Sequence, residues 1–222
     1  IERGFKEADV VVEGEYRTQV QTHTPLEPHG VVADWRDEEL TIYASTQHVM
    51  SVRDEAAEIF KLTKEKIHAI SDYTGGGFGA KYGIGNYGTL AVHLSRKARA
   101  PVRLVLDRRE EHVSVGNRPS TLQRLKIGAK RDGSLTAIEL HSFGTGGVAA
   151  GAGVGMCHHS MYPCPNVSIE HYDVFTNAGP CAAFRGPGQT QGIFAFEQAI
   201  DAVATRLDID PIAMRDKVDT RD

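Results

Sequence analysis

Between Thr74 and Lys81 the sequence reads Thr-Gly-Gly-Gly-Phe-Gly-Ala-Lys, and no regular element tolerates four glycines so close together. Each glycine inside a helix or strand costs roughly 0.5–1 kcal/mol relative to alanine, so the stretch is expected to be a loop. Before it, Lys66 to Ser71 alternates as a strand does; after it, from Asn86, the periodicity turns helical. Glycines at a strand-to-helix junction permit positive φ and let another molecule approach the amides, an arrangement suited to an anionic group near a helix N-terminus. A tight turn without a ligand is the other reading of the same residues.

The chain before this loop reads as strands. Ala8 to Thr22 is rich in β-branched residues and alternates; Val31 to Trp35 and Glu39 to Ala44 read as a hairpin closed by Arg36-Asp37-Glu38. Between them Thr22 to Gly30 is broken by Pro25 and Pro28. His23, Glu27 and His29 lie there without the spacing of a helical zinc motif and are expected to be hydrogen-bonded structural groups. Ser45-Thr46-Gln47 then ends a strand and starts a helix, with a hydroxyl in capping position; Val49, Val52, Ala56, Ile59 and Phe60 mark its buried face through Leu62.

After the loop a helix to about Ala98, a strand from Pro101 to Asp107, and strands Leu122 to Ala129 and Thr136 to His141 about Asp132-Gly133 are expected. Phe143 to Asn166 lacks periodicity and reads as one long loop. It holds Met156-Cys157-His158-His159, whose spacing to Cys164 is too wide for a usual zinc site. Val167 to Thr176 returns as a strand, and a second glycine-proline loop, Asn177 to Gln189, opens a helix through Leu207. Asp210-Pro211 caps a last helix. Hairpins mixed with crossovers predict an α+β fold with a mixed, largely antiparallel sheet and packed helices. The 222 residues, 41% hydrophobic, suffice for one domain or two small subdomains.

Net charge is −4 with no long basic run, which argues against nucleic acid as the main partner. Three widely spaced cysteines point to a reducing, cytoplasmic setting, and no apolar run approaches the ~20 residues of a membrane span. The start, Ile1-Glu2-Arg3-Gly4, lacks Met and suggests an excised or processed piece. Gly75-x-Gly77-x-x-Ala80 matches a dinucleotide fingerprint, but strands and a helix precede it where a first strand should stand. Walker and serine-hydrolase signatures are absent. A self-contained nucleotide-binding module without catalysis is therefore the alternative.

Taken jointly and in order, Ser45-Thr46-Gln47, Gly75 to Lys81, Pro101-Val102-Arg103 with Asp107-Arg108, Thr176-Asn177 and Ala183-Phe184-Arg185-Gly186 resemble the molybdenum hydroxylases, the xanthine dehydrogenase and aldehyde oxidase family. The likeness runs from Gly4-Phe5 to Met214-Arg215 and is to the first molybdopterin-binding domain of the large subunit, taken as residues 1–222. It implies that Gln47 hydrogen-bonds an oxo ligand of the molybdenum and that Gly77, Phe78 and Gly79 lie against the pterin. Phe184, Arg185 and Gly186 would complete the cradle, and Phe78, Tyr82 and Pro187 would line the substrate pocket. The cofactor would be molybdopterin or its cytosine dinucleotide, which holds the metal without a protein ligand. The implied reaction is hydroxylation of an aromatic N-heterocycle or an aldehyde with oxygen from water. Electrons would leave through iron–sulfur clusters and FAD on other domains or subunits. The remainder of the large subunit would carry the general-base glutamate, leaving this piece inactive alone. Three positions depart from xanthine-specific members: Tyr82 stands for a glutamate, Gly153 for a substrate-gripping arginine and Pro187 for a second sandwiching aromatic.

Overall fold

The computed structural model describes residues 1–155 and 157–218. In chain order its elements are α1 (Glu2–Glu7), β1 (Val10–Thr18), β2 (Gly30–Arg36), β3 (Glu39–Ala44), α2 (Val49–Phe60), β4 (Ile67–Ile70), α3 (Gly85–Ala98) and β5 (Val102–Val105). There follow α4 (Arg108–Ser114), β6 (Thr121–Ala129), β7 (Leu135–Gly147), α5 (Cys157–Ser160), β8 (Val167–Phe175), α6 (Gln189–Leu207) and α7 (Pro211–Lys217). They fall into two compact units. One comprises Ile1–Gln21, Arg118–Cys181 and Gly186–Asp222; the other comprises Thr22–Asn117 and Ala182–Arg185.

The first unit is built on a four-stranded sheet of order β1-β6-β7-β8, antiparallel except for the parallel β7–β8 pair. Alternation along β6 and β7 turns Leu125, Ile127, Ile138 and Leu140 to one face. There Phe196, Ile200 and Val203 of α6, three and four residues apart, close the core with Met214. β7 runs six residues beyond the expected end at His141, into the stretch expected to be one long loop. The reason lies in two of its glycines: a Cβ at Gly144 would strike the Ala152 carbonyl and one at Gly146 that of Ala149. Strand glycines chosen for close approach erase the period by which a strand is read. The same stretch also contains the short helix α5; Met156 lies outside the described residues.

The second unit has a sheet of order β4-β3-β2-β5, with only β3–β4 parallel. The β2–β3 hairpin turns at Asp37 and Glu38, both at positive φ (45° and 65°), as a two-residue turn of the twisted kind requires. Val31, Ala33, Leu40 and Ile42 face Val52 and Ala56 of α2 and Ala91 and Val92 of α3. The fold is thus α+β, with its strands divided between two mixed sheets.

α2 ends at Phe60, before Leu62, because Lys61 adopts the left-handed C-cap conformation at φ 56°. Its N-cap is His48, whose Nδ1 accepts from the Ser51 amide; Thr46 is instead drawn away to the Lys81 carbonyl, which accepts from its hydroxyl at 3.0 Å. α1 and α4 have no counterpart in the expected elements. The Asp107-x-x-Glu110 capping box that starts α4 is present in the sequence.

Candidate functional site

The second unit carries the glycine loop, Gln47 and the short segment Ala182–Arg185. Phe78 lies at φ 53° between Gly76 at 95° and Gly79 at 108°, so the backbone turns sharply through the left-handed region. The turn is fixed on two sides. The Arg185 amide donates to the Phe78 carbonyl at 2.9 Å, and the Gly79 amide donates to Gln47 Oε1 at 2.8 Å. Gln47 lies so close over the loop that a Cβ at Gly77 would come within 2.7 Å of its Cδ. A Cβ at Gly79 would strike the Ala183 carbonyl. The glycines are there for close approach between three chain segments.

With Oε1 committed to an N–H donor, Gln47 presents its Nε2 as a hydrogen-bond donor. Among the described residues the amides of Gly76, Gly77 and Phe78 have no hydrogen-bond partner, and Phe78 is 43% exposed. The site therefore offers neutral N–H donors beside an aromatic face. Behind Ala183, His23 Nε2 donates to the Ala183 carbonyl at 2.7 Å, and its ring meets Phe184 edge-on at 4.6 Å.

Beneath the loop lies a buried polar network. Lys81 has no solvent exposure; its Nζ donates to the Glu27 carbonyl (2.7 Å), Ser45 Oγ (2.6 Å) and Glu27 Oε2 (3.3 Å). Glu27 Oε2 also accepts from Ser45 Oγ (2.6 Å) and the Gly75 amide (2.7 Å). Burial lowers the pKa of Lys81, opposed by the Glu27 charge. Burial raises that of Glu27, but the Ser45 and Gly75 hydrogen bonds and the Lys81 charge bring it below its ordinary value. A second anchor is the buried Glu111 carboxylate, which accepts from the His29 amide (3.1 Å) and from Arg108 (2.8 Å). Arg108 donates onward to the Pro25 carbonyl at 2.6 Å. The His29 ring bonds the Ala80 carbonyl at 3.3 Å, and burial holds its pKa below the usual histidine value.

Of the expected residues, Gln47, Gly77, Phe78, Gly79, Phe184 and Arg185 thus belong to one unit, with Tyr82 exposed on the same loop. Gly186 and Pro187 belong to the other. There the Gly186 carbonyl accepts from the Thr190 amide at 3.4 Å, at the start of α6. The anchors Lys81, Glu27, His29 and Glu111 were not singled out as parts of the site. A charged side chain wedged between Pro25 and Pro28, and a lysine closing a glycine run, are the signals that point to them. His23, Glu27 and His29 each have a protein partner, and among the described residues no group of three or more His, Cys, Asp or Glu is placed to hold a metal ion. Cys157 and His158 are buried side by side at 3.3 Å; burial raises the thiol pKa and lowers that of the imidazole to about 4, with His159 adding to the latter.

On this α+β scaffold the clustered donors are neutral amides and one glutamine, a donor set chemically suited to an oxygen-rich group. A family model described as "Molybdopterin cofactor-binding domain" matches residues 1–218. The aldehyde oxidoreductase molybdenum-binding subunit PaoC of Escherichia coli K12 is 33% identical over 219 residues, covering 98% of this chain and 30% of that protein. The nicotinate dehydrogenase large molybdopterin subunit of Eubacterium barkeri is 33% identical over 222 residues, covering 97% and 52%. The crystal structure of quinoline 2-oxidoreductase from Pseudomonas putida 86 superposes with a TM-score of 0.87 at 28% identity, covering 96% of this chain and 28% of that one. The chain belongs to the molybdopterin cofactor-binding domain family, and within it to the molybdenum hydroxylase type. It spans about a third of the first of these relatives and half of the second.

That membership disfavours the self-contained nucleotide-binding module, and the structure supplies a reason. α3 begins at Gly85, after the glycines have turned away, so the fingerprint residues do not open a helix as a dinucleotide site needs. The residues present fit molybdopterin: the Gln47 amide and the loop amides are neutral donors, the glycines leave no Cβ over them, and the Glu27 carboxylate against Gly75 is held by Lys81. Among the described residues no helix is long and apolar enough to cross a membrane.

Proposed function

We propose that the protein of which this chain is part hydroxylates an aromatic N-heterocycle or an aldehyde with oxygen derived from water, and that residues 1–222 form its first cofactor-binding domain. Gln47, Gly77, Phe78, Gly79, Phe184, Arg185 and Gly186 would hold the cofactor, and Phe78, Tyr82 and Pro187 would border the substrate. The relatives' names support the substrate class, since they speak of an aldehyde, nicotinate and quinoline. Tyr82, Gly153 and Pro187 stand where a purine would be expected to meet a glutamate, an arginine and a second aromatic ring. When bound, the cofactor supplies oxygen transfer and two-electron redox chemistry; this chain's residues bind, orient and shield it. The remaining large-subunit regions would bring the general base, and iron–sulfur and FAD domains or subunits would take the electrons. The whole would be a cytoplasmic oligomer.

The observation that carries this reading is the Gly79 amide on Gln47 Oε1, which fixes the side-chain amide so that Nε2 is its remaining group, a donor for an oxygen acceptor. Removing one such preorganised donor costs roughly 10²–10³ in rate where it stabilises developing charge. Gln47 is exposed and contributes little burial, so Gln47→Ala in the assembled enzyme should lower kcat by about that factor while the melting temperature moves by no more than about 2 °C. Parallel losses of melting temperature and turnover would refute a direct role.

A further inference from the structure

We propose that Lys81 is a positioning residue for the cofactor cradle, locking Gln47 and the Gly77-Phe78-Gly79 turn into one rigid unit; this rests on the reading that those residues face the cofactor. Hydrogen bonds from Lys81 reach both strands of the cradle. Its Nζ pins residues 27 and 45, while its own carbonyl accepts from the Gln47 amide (2.7 Å) and the Thr46 hydroxyl (3.0 Å). Gln47 in turn receives the Gly79 amide, and Glu27 the Gly75 amide. Lys81 thus joins the two contacts: its side chain holds Glu27, which receives the Gly75 amide, and its carbonyl holds Gln47, which receives the Gly79 amide.

Stability alone does not explain a lysine with no exposure. A buried ammonium is costly to desolvate, and an ion pair in its place is weak evidence for a stabilising role. What the side chain adds is geometry: three fixed acceptors determine where the chain turns at residue 81, and hence where its carbonyl holds Gln47. The Glu27 carboxylate is held by the same bonds, its charge offset by the Lys81 ammonium.

The test is residue-resolved amide hydrogen exchange on the assembled enzyme, read at the residues of this chain and comparing wild type with Lys81→Met. Exchange at Gln47 and Gly79 should quicken by about tenfold or more, while amides of the β2–β3 hairpin and of β6 keep their wild-type rates. In the assembled enzyme the same variant should lower kcat about tenfold with KM within about twofold, the pattern of a misplaced cradle rather than of lost substrate binding. Unchanged exchange at Gln47 and Gly79, or an equal rise throughout the β2–β3 hairpin, would overturn the proposal. If Lys81→Met does not fold, Ser45→Ala decides. It removes one Nζ acceptor at nearly constant volume, and local quickening supports the lock where none refutes it. Molybdenum content of the wild-type enzyme is measured alongside. Its absence would sink the cofactor reading, whereas the exchange pattern answers for Lys81 independently.

Discussion

Phe78 occupies the left-handed region at φ 53°, where a side chain costs roughly 1–2 kcal/mol that glycine does not. Three glycines surround it, so its retention in the strained place means the ring is used for something other than stability. Phe78→Gly should therefore unfold at the wild-type temperature or above it. Gly79→Ala should be destabilised by about 1–3 kcal/mol, because φ 108° and the Ala183 carbonyl both exclude a Cβ. Thermal denaturation of the chain checks both, and a Phe78→Gly variant that melts several degrees lower would show the ring to be a packing element. At this scale the need for glycine was legible in the run itself. Which side chain crosses each glycine was not: Gln47, Glu27 and Ala183 are brought over the loop from 32, 48 and 104 residues away. Lys81 was legible only as a cation ending the run, because its burial depends on acceptors supplied by residues 27 and 45.

Elements with a clear period, such as the β2–β3 hairpin, α3, β6 and α6, lie where the alternation and helical spacing put them. β7 and the segment after it do not. Their glycines serve backbone packing, and the order of residues 148–155 is imposed by a distant side chain. Asp173 of β8 accepts from the Gly151 and Ala152 amides at 2.9 and 2.8 Å, with His171 at 3.3 Å. Burial raises the Asp173 pKa, yet the two amides and His171 carry it below its ordinary value. The carboxylate thus acts as the clasp of this loop. Asp173→Ala should leave β6 and β7 protected but expose residues 148–155 to proteolysis, at a cost of about 1–3 kcal/mol for the two unpaired amides. A loop that resists cleavage in this variant would mean its own glycine turns hold it.

Across the whole chain, the α+β class was legible because hairpin signals and crossover spacings survive in the sequence. The division of strands into two sheets was not, since it depends on β1 pairing with β6 from across the whole of residues 22–117. Acid stability belongs to this scale as well. Folded His158 has no solvent exposure and binds a proton only near pH 4, whereas in the unfolded chain it does so near ~6.5. Over that window the unfolded state holds more protons, so stability falls as pH is lowered from about 6.5 to 4, by roughly 2–3 kcal/mol from this residue. Glu27 acts in the same direction at lower pH: its depressed pKa contributes stability above the ordinary carboxylate range that disappears as pH falls through its folded value. Urea unfolding measured from pH 7 to 4 should show this decline, and His158→Leu, which cannot titrate, should flatten its upper part whatever its effect at pH 7. A wild-type curve level between pH 6.5 and 4.5, or an unchanged slope in the variant, would place the acid sensitivity with the carboxylates alone.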